Sequence, residues 1–196
     1  MACPPMLAAI SARHLVGAAL ALLLLTGAAP ASADLRISDL QIFLNNHEVT
    51  VNMVLLGAIP AGLHEGLEGG IPTHVRYTVE LWQFNRYWRD VRLLARTLER
   101  QLVYNVVTKE FKVTSLKGET RPPHVTKDLR DAQRVLSEIR ALKLTPATAL
   151  HPSDIIYVRV HAESSLNGEN TVLTRMAGTA EQTSVQSDYR TLYRTD

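Results

Sequence analysis

From His74 to Trp82 the chain alternates strictly. Val75, Tyr77, Val79 and Leu81 are interleaved with His74, Arg76, Thr78, Glu80 and Trp82. Successive side chains of a strand point to opposite faces, so this pattern dictates a half-buried β-strand. Residues 86–107 continue the β pattern in charged form. There Val91, Leu93 and Ala95 alternate with Arg92, Leu94 and Arg96. Leu98, Leu102, Tyr104 and Val106 then share one parity, with Arg100 between them. This predicts one long bent strand or two shorter ones. Thr108-Lys109 turns the chain, and Phe111, Val113 and Ser115 begin the return. Both tryptophans, Trp82 and Trp88, fall in this stretch.

The flanking segments predict a fold of the same kind. Asp34 to Leu44 reads as a strand whose phase slips near Asp39, the mark of a bulge or bend. Asn45-Asn46 is a turn signal, and Val49, Val51, Met53 and Leu55 return as the second strand of a hairpin. Ile59-Pro60 to Gly70 predicts a short helix with Leu63 and Leu67 on one face and Gly69-Gly70 at its end. A longer amphipathic helix is expected over 126–142, with Thr126 as N-cap and Asp128 in the first turn. Its apolar face is Leu129, Ala132, Val135, Leu136, Ile139 and Leu142. A last strong strand runs from Ile155 to Ala162. Beyond Ser164 the pattern fades, and Tyr189-Arg190-Thr191-Leu192-Tyr193-Arg194 reads as an edge strand or a flexible tail. The expected fold is mainly β: an antiparallel β-sandwich-like domain with one long amphipathic helix and one short helix.

Ahead of this domain, Arg13 and His14 precede the uncharged run Leu15 to Leu25, followed by Pro30 and Ala31-Ser32-Ala33. A short basic region, an apolar core and small residues before a cleavage point make a Sec signal peptide, cut between Ala33 and Asp34. The alternative is an uncleaved N-terminal membrane anchor, although a span needs about 20 apolar residues. The expected division is a signal peptide over 1–33, a β-rich domain over 34–164, and an edge strand or flexible tail over 165–196. Export places the domain in the periplasm or envelope. The single cysteine, Cys3, would leave with the signal peptide. Stability then rests on packing, and thiol catalysis, iron–sulfur clusters and cysteine zinc sites are excluded. The 21 basic and 19 acidic residues are spread along the chain, so no nucleic-acid footprint forms.

Candidate chemistry is sparse. His64-Glu65-Gly66-Leu67-Glu68 resembles the zinc helix in which two histidines four apart grip one metal, but Glu68 stands where the second histidine is needed. His47, His74, His124, His151 and His161 are scattered, and Glu80, Asp154 and Glu163 show no ligand spacing. There is no Gly-x-Ser-x-Gly elbow and no phosphate-binding glycine loop. No catalytic residue, cofactor or metal is therefore expected. The cluster that stands out is Arg86, Tyr87, Trp88, Arg89 and Arg92. Arginine and aromatics concentrate at protein-interface hot spots, and the same set suits a membrane surface. The plainer expectation is aromatics that cap the core, with arginines lying along it.

Taken in order, the opening hairpin, Ile59-Pro60 … Leu67 … Gly70-Ile71-Pro72, Arg86-Tyr87-Trp88, and Leu102-Val103-Tyr104-Asn105 … Thr108-Lys109-Glu110-Phe111-Lys112-Val113 resemble a bacterial family known as domain-of-unknown-function family 4390. The helical segment at 126–142 and the strand beginning Tyr157-Val158-Arg159-Val160 complete the resemblance, over roughly Leu35 to Glu163. After that the chain departs from the family pattern, with Leu166-Asn167-Gly168-Glu169 and no tryptophan beyond Trp88. The resemblance implies a secreted or membrane-associated domain without assigned activity, linked to membrane sensor-kinase signalling, and supplies no catalytic residues. The expected function is an extracytoplasmic protein-interaction or accessory module whose partner is an envelope protein or the membrane surface. The alternatives are a carrier of an apolar small molecule or lipid, and a hydrolase built around His64 or His74.

Overall fold

In the computed structural model the described residues are 34–166 and 182–192. The signal-peptide expectation over 1–33, with Ala31 and Ala33, lies outside them. Among the described residues, ten strands form two antiparallel sheets. β1 (Arg36–Asn45), β2 (Glu48–Leu56) and β7 (Glu138–Pro146) make a three-stranded sheet in the order β1-β2-β7. The larger sheet runs β10-β8-β3-β4-β5-β6, from Arg190–Thr191, Ile156–Leu166, Thr73–Gln83, Val91–Asn105, Glu110–Lys117 and His124–Thr126. β9 (Gln182–Gln186) also pairs with β8. The described residues also hold two α-helices, α1 (Ala61–Glu68) and α2 (Leu129–Ser137), and a short 3-10 turn at Ala147–Ala149.

The alternation in β3 is realised in full. Val75, Tyr77, Val79 and Leu81 are fully buried, and across the ladders they meet Ser164, Ala162, Val160 and Val158 of β8. On the other side Leu98 faces Tyr77 and Arg100 faces Val75. These residues share one core with Val49, Val51, Met53 and Leu55 of β2. The phase slip at Asp39 is a bulge: the β1–β2 register breaks between Ser38 and Gln41, and Asp39 has φ 53°. Asn46 and His47 both have positive φ, so the hairpin turns on His47 as well as Asn46 in the mirror-image form that matches strand twist.

α1 ends in a Schellman motif. The Ile71 N–H reaches the Gly66 carbonyl, the Gly70 N–H reaches that of Leu67, and Gly70 sits at φ 85°. Gly66 faces β8: a Cβ there would lie 2.6 Å from the end of the Leu166 side chain, which would have to shift.

Three expectations need correction. Residues 84–90 are a loop and not a continuation of the strand, because β4 begins only at Val91. The helix over 126–142 is nine residues long, 129–137. Thr126 belongs to β6, and Asp128 is the cap, accepting the Arg130 N–H at 3.0 Å. At the other end, side chains from the large sheet take up the helix's last carbonyls. Arg100 Nη1 donates to the carbonyls of Val135, Leu136 and Glu138 at 2.8, 3.1 and 2.7 Å, and the Tyr77 hydroxyl donates to that of Leu136 at 2.9 Å. Ile139 and Leu142 then lie in β7, paired with Met53 and Val51. A bulge at Ala141 (φ 51°), held by the Asn52 amide oxygen at 2.7 Å, resets the phase so that Leu142 and Leu144 alternate.

The third correction concerns the C-terminal division. The boundary at 164 falls inside β8, whose Ser164 and Ser165 are buried. Residues 182–192 run along β8 as two short edge strands. Ser187 bridges them by exchanging hydrogen bonds with Val160, and Leu192 is buried. Among the described residues no helix is long and apolar enough to cross a membrane.

Candidate functional site

The β3–β4 connection carries Phe84, Asn85, Arg86, Tyr87, Trp88, Arg89 and Asp90. Its base is fixed by short polar contacts. The Phe84 N–H donates to the Ile155 carbonyl at 2.9 Å, and the Asn85 N–H donates to Asp90 Oδ1 at 3.0 Å. Asn85 Oδ1 in turn accepts the Tyr87 N–H at 3.0 Å. The other Asp90 oxygen, Oδ2, accepts the Tyr157 hydroxyl at 2.6 Å, which ties the loop to β8. That hydroxyl, then the Asn85 N–H, holds the Asp90 carboxyl below its ordinary pKa.

Beneath the loop lies a layer of rings and one guanidinium on the outer face of the large sheet. Trp82 and Tyr157 stack with centroids 6.5 Å apart and planes 7° apart. Tyr189 meets Tyr157 edge-on at 5.2 Å. The Arg159 guanidinium lies 5.2 Å from the Trp82 ring and 5.1 Å from the Tyr189 ring. Trp82 Nε1 donates to Glu80 at 3.0 Å, and Glu80 accepts Arg92 Nη1 at 2.9 Å through its other oxygen. Burial pushes the Tyr157 hydroxyl up to about 12, and the bond to Asp90 adds to the shift. An absorbance titration should therefore find Tyr157 ionising about two units late, with Asp90→Asn moving it back toward the ordinary value near 10. The sign follows from linkage. A raised folded-state pKa means that this contribution to stability is intact below about pH 10 and fades as pH rises through about 12.

Above this layer the tip is bare. Tyr87 is 88% exposed and Trp88 82%. The structure thus brings Arg86, Tyr87, Trp88 and Arg89 together around a hollow of about 520 Å³. The Arg86 guanidinium is 6.0 Å from the Tyr87 ring. Arg92 stands apart from these four, drawn along the sheet toward Glu80. The aromatics do not cap the core, because the loop carries them past the end of the sheet. Phe84, Val91, Leu93 and Ile155 add further exposed apolar side chains at the same end. The alternation that set Val91 and Leu93 in one phase with Ala95 gave no sign of this exposure.

Five of the histidines have separate partners. His64 Nε2 is 3.1 Å from the Ile59 carbonyl oxygen, and His74 Nδ1 is 3.4 Å from Glu99. His124 meets Asp131 at 2.7 Å, His151 meets Ser153 at 2.8 Å, and His161 meets Glu163 at 3.1 Å. Among the described residues no three His, Cys, Asp or Glu side chains converge as metal ligands would. Clefts of about 610, 450 and 440 Å³ lie at the β1 bulge beside Ser187 and Asp188, at the β2–β7 bulges, and between the end of β2 and α2.

A family model described as "Domain of unknown function (DUF4390)" matches residues 32–192. The chain belongs to this family. The match takes in β9, β10 and Leu192, so the DUF4390 domain extends past the Glu163 limit of the sequence resemblance and includes the edge strands. No curated protein and no solved structure matches the chain.

Proposed function

We propose that this DUF4390 domain is an extracytoplasmic interaction module, without catalysis of its own, that serves membrane sensor-kinase signalling from the envelope. Its two sheets act as a sandwich-like frame, and the β3–β4 tip is the contact surface. One observation carries this reading: two large aromatics stand more than four-fifths exposed on a loop whose base is pinned. Leaving such a side chain in water forgoes roughly 1.5–3 kcal/mol of burial, so this placement does nothing for the fold. A rigid base also lowers the entropy lost when the tip is bound. The carrier reading has less support, because Val79, Leu81 and Val158 are packed without exposure in the core it would have to open.

The experiment is photo-crosslinking in cells from position 88, with position 107 as control. Val107 is 84% exposed on the β4–β5 turn, at the opposite end of the sheet. Defined envelope adducts from position 88 and few from 107 are expected. Equal yields, or only intramolecular adducts from position 88, would rule out the tip as the contact surface.

A further inference from the structure

We propose that what the tip meets is the anionic headgroup surface of a membrane, an inference that rests on the reading of the β3–β4 end as a contact surface. The composition of the tip is interfacial. Tyr87 and Trp88 each combine an apolar ring with one polar group, the combination enriched where bilayer meets water. Arg86 and Arg89 flank them and have no ion-pair partner among the described residues, so both guanidiniums are available to phosphate oxygens. The one acid of the loop, Asp90, is turned inward and engaged by Tyr157 and Asn85. The tip therefore presents positive charge and rings without a competing carboxylate.

Shape and backbone point the same way. A protein hot spot seats its aromatics in a desolvated pocket within an interface of about 800 Å² per partner. Here the rings project from a single connection, with the exposed apolar side chains of Phe84, Val91 and Ile155 as a collar around its base. Entry into a poorly hydrated layer is costly for free backbone N–H groups. Asn85 and Tyr87 already have theirs satisfied by side chains within the loop. The contact is interfacial and does not span the bilayer. It would steady a module that serves a membrane protein against the surface beside it.

The test uses the exported protein carrying a benzophenone amino acid at position 88 or at position 107. Each is mixed with vesicles of phosphatidylcholine alone, or of phosphatidylcholine with phosphatidylglycerol, and lipid adducts are counted by mass spectrometry. Both proteins carry the same N-terminal segment, so comparing the positions isolates the tip. Adducts should form from position 88, should require phosphatidylglycerol, and should decline as salt is raised. Arg86→Gln and Arg89→Gln should each lower the yield about fivefold, as expected for one cation at an anionic surface. Equal yields on the two vesicle types, or a yield at position 88 no higher than at 107, would overturn the proposal. If position 88 reaches a protein in cells but gives no phosphatidylglycerol-dependent adduct, the membrane inference fails while the contact-surface reading stands. Silence in both assays removes both.

Discussion

Replacing Arg100 by leucine should destabilise the domain by about 3–5 kcal/mol, read as a lower midpoint of urea unfolding. Arg100 lies on the core face of β4 with 1% of its side chain exposed, an arrangement tolerated only when a buried charge is fully partnered. Its Nε and Nη2 hold the two oxygens of Glu119, and its Nη1 holds three carbonyls where α2 gives way to β7. The Tyr77 ring lies 5.9 Å from the guanidinium. Leucine would fill part of the volume but would leave those carbonyls without their donor and the Glu119 carboxylate without its main partner. Arg100→Lys should recover only part of the loss, because an ammonium cannot reproduce the planar fork. The same contacts make stability depend on pH. Partial burial works to raise the Glu119 carboxyl, but the hydrogen bonds and charge of Arg100, with Arg121 and Ser115, outweigh it and hold the pKa below the ordinary glutamate value. A depressed folded-state pKa means that this contribution is present above about pH 4.3 and is lost as pH falls through the lowered value.

Arg100 also shows where sequence reasoning ends. Its parity with Leu98 and Leu102 places it on the core face, and that much is legible from alternation. That it would terminate a helix is not, since its partners lie in residues 119 and 135–138, joined to it only by the fold. The apolar spacing from Leu129 through Ile139 to Leu142 fits a helix, while Leu142 and Leu144 equally fit a strand. The choice falls to the strand because β2 offers a ladder and Arg100 with Tyr77 takes the helix's last carbonyls. Residues 182–192 carry too few apolar positions for periodicity to mark them, and they become strands because β8 has an open edge. The Asp39 bulge and the strands β1–β3 and β8, by contrast, follow from local alternation alone.

The tip was legible as composition but not as exposure. Arg86, Tyr87, Trp88 and Arg89 attract notice in the sequence, yet nothing local distinguishes rings that cap a core from rings that project beyond it. The difference is made by Asp90 and its link to Tyr157, sixty-seven positions away in the chain, which holds the loop outward past the sheet. Trp82, the other tryptophan, belongs to the supporting layer with Tyr157, Arg159 and Tyr189.

The second large effect is expected from removing both tip aromatics. Tyr87→Ala with Trp88→Ala takes away rings that touch little of their own domain, so the urea midpoint should stay within about 0.5 kcal/mol of the parent. Withdrawing a large apolar ring from water is worth about 1.5–3 kcal/mol, and the losses of two neighbouring rings do not simply add, so binding should fall at least about thirtyfold. The deciding measurement is recovery of the double variant with envelope fractions from cells, alongside its urea unfolding curve. A loss of that size at unchanged stability is the expected result. Full envelope recovery by a folded double variant would contradict the assignment of this end of the sheet as the working surface.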